Sequence, residues 1–268
     1  MFLSTLVLLS SLALAEDSEF AGADAPAEVA DAPESKVTAE FGGSVASGNV
    51  VYYTLNGGLV ASHKWQANKL STSMGANIGR AVADIDGDGR LNGAERNGGL
   101  SENARRYFAE GRYDRYFGEK NSLYALGGLL VDPFAGYDLR SHEQLGYSRV
   151  LVDTEDTDLV AELGFDVAQE NYVDGVDPGN ANIFAARIMM SGTHKFNEAV
   201  AVGDTIELYE NVVDFNDFRL LNSAFITSAL SNTLSLKLSH TLTFDNVPVE
   251  GFQTLDQVSM VTLVATLL

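Results

Sequence analysis

Leu234-Ser-Leu-Lys-Leu-Ser-His-Thr-Leu-Thr-Phe-Asp245 is the stretch that decides the fold. Apolar side chains at 234, 236, 238, 242 and 244 alternate with Ser235, Lys237, Ser239, Thr241, Thr243 and Asp245. Successive side chains of a strand point to opposite faces, so this segment has one apolar and one polar face. The pattern recurs from about Val37 to Leu268 with no comparable amphipathic helix between. The spacing predicts strands over 37–47, 50–63, 67–82, 103–117, 121–131, 139–152, 158–171, 183–196, 199–211, 217–230, 233–245 and 254–268. A series of this kind must hide its edges, which points to an all-β fold. The expected architecture is a single closed antiparallel up-and-down transmembrane β-barrel of about twelve strands.

The connections support a membrane setting. One side carries the short turns HKWQAN, GEKN, DTEDT, FNEA and LSNT. The other carries the 82–102 insertion, VDPFAGYD, NYVDGVDPGNAN, NVVDFND and DNVPVEGFQT. Short turns on one side and longer loops on the other are the asymmetry of outer-membrane barrels. Faces are readable too. Tyr107, Ala109, Gly111, Tyr113 and Phe117 are set against Arg106, Glu110, Arg112 and Asp114. Leu159, Ala161, Leu163, Phe165 and Val167 are set against Asp158, Glu162, Asp166 and Glu170. Two strands obey less well: Glu143 and Arg149 share a face with Leu145 and Tyr147, and Asp204 sits with Val202 and Ile206. Arg112, Asp114, Glu162, Asp166, Arg187, Glu207 and Lys237 are expected to line the lumen. Trp65 and the ten tyrosines are expected in interfacial girdles.

Composition narrows the function. With 37 acidic and 17 basic residues the net charge is −20, which repels phosphate backbones and excludes nucleic acid as a partner. No cysteine is present, so disulfides, thiol nucleophiles and thiolate metal sites are excluded. There is no run of the ~18 apolar residues that a membrane helix needs. Residues 1–15 read as a signal peptide, with an apolar stretch Phe2–Leu14 and the small-x-small pattern Ala13-Leu-Ala15. Residues 16–36, rich in Ala, Pro and acid, read as a disordered leader, and the barrel is expected over 37–268.

One motif carries chemistry. Asp84-Ile-Asp86-Gly-Asp88-Gly89-Arg90-Leu-Asn92-Gly-Ala-Glu95 matches the EF-hand calcium loop through all its positions. Calcium is the expected cofactor. Its oxygens would come from Asp84, Asp86 and Asp88, the Arg90 carbonyl, Asn92 directly or through water, and bidentate Glu95. The flanks do not read as EF-hand helices, so a bare loop is expected. The four histidines, His63, His142, His194 and His240, fall in no catalytic motif.

Four segments in order, AEFGGSVASGN (39–49), RYDRYFGEKNSLYALGGLLVDPFAGYDLR (112–140), GYSRVLVDTEDTDLVAELGFDVAQENY (146–172) and LSNTLSLKLSHTLTFDNVPVEGFQTLD (230–256), resemble the salt-stress-induced outer-membrane protein family, domain of unknown function 481. The resemblance implies an outer-membrane β-barrel with no established enzymatic activity. Its partners would be outer-membrane lipid and, during biogenesis, the barrel assembly machinery. Two features depart from the pattern: the 82–102 insertion, and an end in Thr266-Leu-Leu268 where such barrels usually end in an aromatic residue. The reading is a non-enzymatic, porin-like outer-membrane protein, structural or a narrow pore, with a calcium-binding surface loop. The competing readings are a membrane-embedded hydrolase pairing an inward His with a Ser, and a soluble secreted β-barrel binding protein.

Overall fold

The computed structural model describes residues 30–47, 51–86, 91–176 and 179–267. Twelve antiparallel strands follow one another round a closed barrel, with β12 meeting β1. They are β1 (Ala30–Ala46), β2 (Tyr52–Gln66), β3 (Asn68–Ala81), β4 (Ser101–Tyr116), β5 (Asn121–Asp132) and β6 (Tyr137–Asp153). The second half comprises β7 (Thr157–Tyr172), β8 (Asn180–Lys195), β9 (Val200–Asn211), β10 (Phe218–Ala229), β11 (Leu234–Asp245) and β12 (Leu255–Thr266). Each expected strand is found, displaced at its ends by a few residues.

Two boundaries differ from the sequence reading. β1 begins at Ala30, not Val37, because Glu34 to Lys36 pair with Lys64 to Ser62 and extend the ladder past the expected leader. Backbone pairing holds a segment whose composition alone would not fold. Residues 1–29, with the expected signal peptide and the rest of the leader, lie outside the described residues. A six-residue helix, α1 (Gly93–Gly98), follows the acidic loop where no helix was expected. Its reason is local. Asn92 Oδ1 accepts from the amides of Ala94 and Glu95, and the Glu95 carboxylate accepts from the Asn92 amide, a reciprocal capping box that nucleates one turn.

Alternation sorts the faces as period two demands. Along β7, Glu162 is 1% exposed and its neighbour Leu163 is 59% exposed. Leu70, Met74, Leu123, Leu145, Ile188 and Val261 point outward likewise. The outward charges sit where the sequence put them: Glu143, Arg149 and Asp204 are exposed. Arg149 reaches Asn121 beside Tyr147, and Asp204 accepts from Asn222 Nδ2 at 2.6 Å. Trp65 stacks on His63 and lies against Tyr113 at the short-turn end of the barrel, as a girdle residue should. The tyrosines divide, however. Tyr116 and Tyr124 are buried on the inner face, and Tyr209 joins them there, because each phenol faces an inward cation or carboxylate.

Candidate functional site

The lumen is crossed by two groups of charged side chains. Midway along the barrel, Arg112 on β4 grips Asp114 with Nε and Nη2 at 2.9 and 2.8 Å. The same guanidinium reaches Glu162 on β7 at 2.7 and 3.2 Å. From β8, Arg187 Nη1 donates to Glu162 Oε2 at 2.8 Å and to the Tyr124 hydroxyl at 2.9 Å. Its Nε donates to Glu207 on β9 at 2.7 Å, and Tyr209 donates to the same carboxylate. Tyr124 lies 4.1 Å under the Arg112 guanidinium, a cation–π contact. Glu162 is thus the shared counterion of two arginines on strands four apart. Nearer the long-loop end, Glu170 collects Arg140, Arg219 and the Tyr172 hydroxyl, while Arg219 also meets Asp245 at 2.9 Å.

These large groups fit because glycines stand beside them on the inner wall. A Cβ at Gly146 or Gly164 would lie 2.5 Å from Tyr124, and one at Gly75 would lie 2.3 Å from the Phe108 ring. The rings lie flat against the neighbouring strands, and only glycine leaves the space. All seven expected lumen residues, Arg112, Asp114, Glu162, Asp166, Arg187, Glu207 and Lys237, face inward, and Lys237 pairs with Glu40 across the β11–β1 side at 2.8 Å.

Of the histidines only His142 faces the lumen. Its ring meets Glu110 at 3.1 Å, Asp166 at 3.3 Å and Gln144 at 3.3 Å. These three partners are two carboxylates and an amide. Outward, His63 meets Ser35 and His240 meets Ser259, but neither imidazole has a carboxylate to orient it among the described residues. His194 bonds Thr157 and sets its edge on Phe196.

The second site is the loop after β3. Carboxylate oxygens of Asp84, Asp86 and Glu95 lie within 4.8 Å of one another. That spread suits one calcium ion, whose ligands at ~2.4 Å stand at most about 5 Å apart. Glu95, 4% exposed, accepts from the amides of Ile85 at 2.8 Å, Asp86 at 3.3 Å and Asn92 at 2.8 Å. These donors, that of Asn92 foremost, hold its carboxyl below the ordinary glutamate value against the cost of desolvation. Asn92 spends its side-chain oxygen on the helix cap and gives Nδ2 to Asp86. Asp88 and Arg90, the other two expected ligands, lie outside the described residues.

A closed barrel with apolar residues outward and charges inward defines the class: the fold is that of the outer-membrane β-barrels. Residues 39–267 match the family described as "Protein of unknown function, DUF481", and the chain belongs to it. Among solved structures, the NanC porin aligns with TM-score 0.53 and 12% identity over 87% of this chain and 100% of that one. The translocator domain of the autotransporter NalP from Neisseria meningitidis aligns with TM-score 0.45 and 11% identity, over 88% of each chain. At such identities the likeness speaks to fold alone. No curated protein matches the sequence.

Proposed function

We propose that this chain is a non-enzymatic protein of the outer membrane, a narrow pore that favours cations and is constricted by its own ion pairs. The observation that supports it is the Arg112–Glu162–Arg187 junction spanning β4 to β8 inside the barrel. Each arginine there is matched by carboxylates, while Glu110, Asp158, Asp166 and Asp256 add further acid to the inner face. An inner wall with more acid than base concentrates cations. Barrel folding into lipid would rest on the barrel assembly machinery. Induction by salt stress belongs to this reading through the family resemblance, and transcript levels after a salt step test it.

We further propose that the 84–95 loop takes one calcium ion through Asp84, Asp86, Asp88, the Arg90 carbonyl and Glu95, with Asn92 placing Glu95. The affinity should lie near the ~10⁻⁴–10⁻³ M of extracellular sites. Planar-bilayer recording tests the pore: the wild type should show small conductance with a cation-selective reversal potential in a KCl gradient. Glu162→Gln should raise the conductance. A silent bilayer for both proteins would leave a structural barrel, and lipid hydrolysis lost in a His142→Ala variant would overturn the non-enzyme reading.

A further inference from the structure

Strands β9 to β12 interrupt the apolar outer wall along one ladder row. Asp204 of β9 pairs with Ala224 of β10, Ala224 with His240 of β11, and His240 with Ser259 of β12. Their strand neighbours Thr205, Ser239 and Val258 are buried on the inner face, so the row points outward. Asp204 is the fifth residue of β9 and His240 the seventh of β11, each strand being twelve residues long. Both therefore stand well away from the strand ends, with Ile206, Ile226, Leu238 and Val261 exposed around them.

Each end of the row has one polar atom satisfied and one left over. Asp204 Oδ1 accepts from Asn222 Nδ2, and Oδ2 has no partner among the described residues. His240 Nδ1 meets Ser259 Oγ at 2.9 Å, and Nε2 has no partner among the described residues. When the serine hydroxyl donates to Nδ1, the neutral ring carries its proton on Nε2. That atom is then a donor, as it is in the imidazolium. Hydrocarbon supplies neither donors nor acceptors, so both leftover atoms require protein partners. They cannot meet within one chain, because two strand spacings hold Asp204 and His240 ~10 Å apart.

We propose that this face is the interface between two copies of the chain, related by a two-fold axis along the membrane normal that passes Ala224. In such a contact residue i meets j and j meets i. Asp204 and His240 lie on opposite sides of Ala224, so the axis brings Asp204 of each copy to His240 of the other and makes the contact twice. The Ala224 methyl at the centre lets the two walls approach. Rows in a barrel of strands tilted ~40° climb, by about 6 Å between these two residues, a step that the side chains cover by leaning along the axis. Glu143, also an acid on the outer wall, stands between Gly127 and Val167 with no base beside it, so it has no such complement. The inference rests on the barrel's lying in lipid, as proposed above.

The absence of cysteine makes the test clean. Ala224→Cys places one thiol beside the axis, and Ala109→Cys places one on the outer face of β4, six strands away round the barrel. Sheet faces pack ~10 Å apart, beyond the reach of a disulfide, so a short bis-maleimide is the reagent. In dilute phosphatidylcholine vesicles Ala224→Cys should be captured mostly as a dimer and Ala109→Cys only at background. Adding Asp204→Leu, which suits lipid and should keep the heat-modifiable gel mobility of a folded barrel, removes both charge-assisted bonds. The dissociation constant of the dimer should rise roughly a hundredfold. The reciprocal exchange Asp204→His/His240→Asp should restore capture, because each copy then offers the same pair in reverse. Equal capture at Ala224 and Ala109 would overturn the interface. Capture indifferent to Asp204→Leu, or an exchange that stays monomeric, would overturn the Asp204–His240 contact. Recovery of the protein without detergent would overturn the membrane reading and the dimer with it, whereas a monomer that conducts would overturn the dimer alone.

Discussion

The inner wall from β4 to β9 carries Arg112, Asp114, Tyr124, Glu162, Arg187 and Glu207, whereas β2 and β3 offer the lumen Asn56, Ser71, Ser73, Gly75 and Asn77 and keep their inward charges, Lys64 and Lys69, beside the turn that joins them. Away from that turn, one wall supplies bulk and charge, and the other supplies room. Phe108 shows the fit, since its ring leans from β4 over Gly75 of β3. The contrast teaches that bulk on one wall needs small residues on the wall it leans toward. Ionised groups gather where counterions from successive strands reach them, because an unmatched charge away from bulk water is costly.

Breaking the bulky wall should have the largest effect. Glu162→Ala leaves Arg112 and Arg187 without their shared counterion, and removing one member of a buried ion pair costs about 3–5 kcal/mol. Water admitted to the lumen would offset part of that. Urea unfolding in detergent micelles should therefore show a clear loss of stability together with raised conductance. A variant as stable as the wild type would mean that the junction is already solvated and constricts nothing. A smaller effect is expected from the receptive wall. Gly75→Leu drives a side chain into Phe108, an overpacking worth about 1–3 kcal/mol. Gly111→Leu on the outward face of β4 meets nothing within 4 Å and should be near neutral. Equal losses at the two glycines would show that strand propensity, not lumen packing, sets the cost.

The barrel was legible in the sequence because its signal is local. Alternation at Leu159 to Glu170 or Leu234 to Asp245 assigns each residue a face without reference to any other strand. Which inward charge meets which was not legible. Arg112 and Glu162 are fifty positions apart, and only barrel curvature brings them together. The phenols of Tyr116 and Tyr124 likewise turn inward for partners that alternation cannot name. The closing ladder pairs the first strand with the last, so no neighbouring-strand pattern announces it. α1 was missed for a different reason. Asn92 and Glu95 carry both a calcium-loop signature and a capping box, and the ligand reading hid the helix-start reading.

The smallest effect on the barrel, and the sharpest contrast with Glu162, is expected at Glu95. Both carboxylates are buried, but Glu162 answers guanidiniums across the lumen while Glu95 answers three backbone amides of its own loop. Glu95→Gln should thus speed hydrogen exchange at Ile85, Asp86 and Asn92 and leave the barrel's thermal transition nearly unmoved. The sign with pH follows from its depressed pKa. An acid held below its unfolded value stabilises fully above that value, and the contribution fades as pH falls through the lower folded one. A carbon-13 titration of the Glu95 carboxyl should therefore show a midpoint below the ordinary glutamate value of 4.5, with the loop amides losing protection over the same range. Calcium adds a direct interaction with the charged form only, so millimolar calcium should move the midpoint lower still. A midpoint at or above the ordinary value would sink the amide clasp. A low midpoint indifferent to calcium would keep the clasp and remove the ion, leaving Asp84 and Asp86 as solvated acids beside a carboxylate that serves only to fold its own turn.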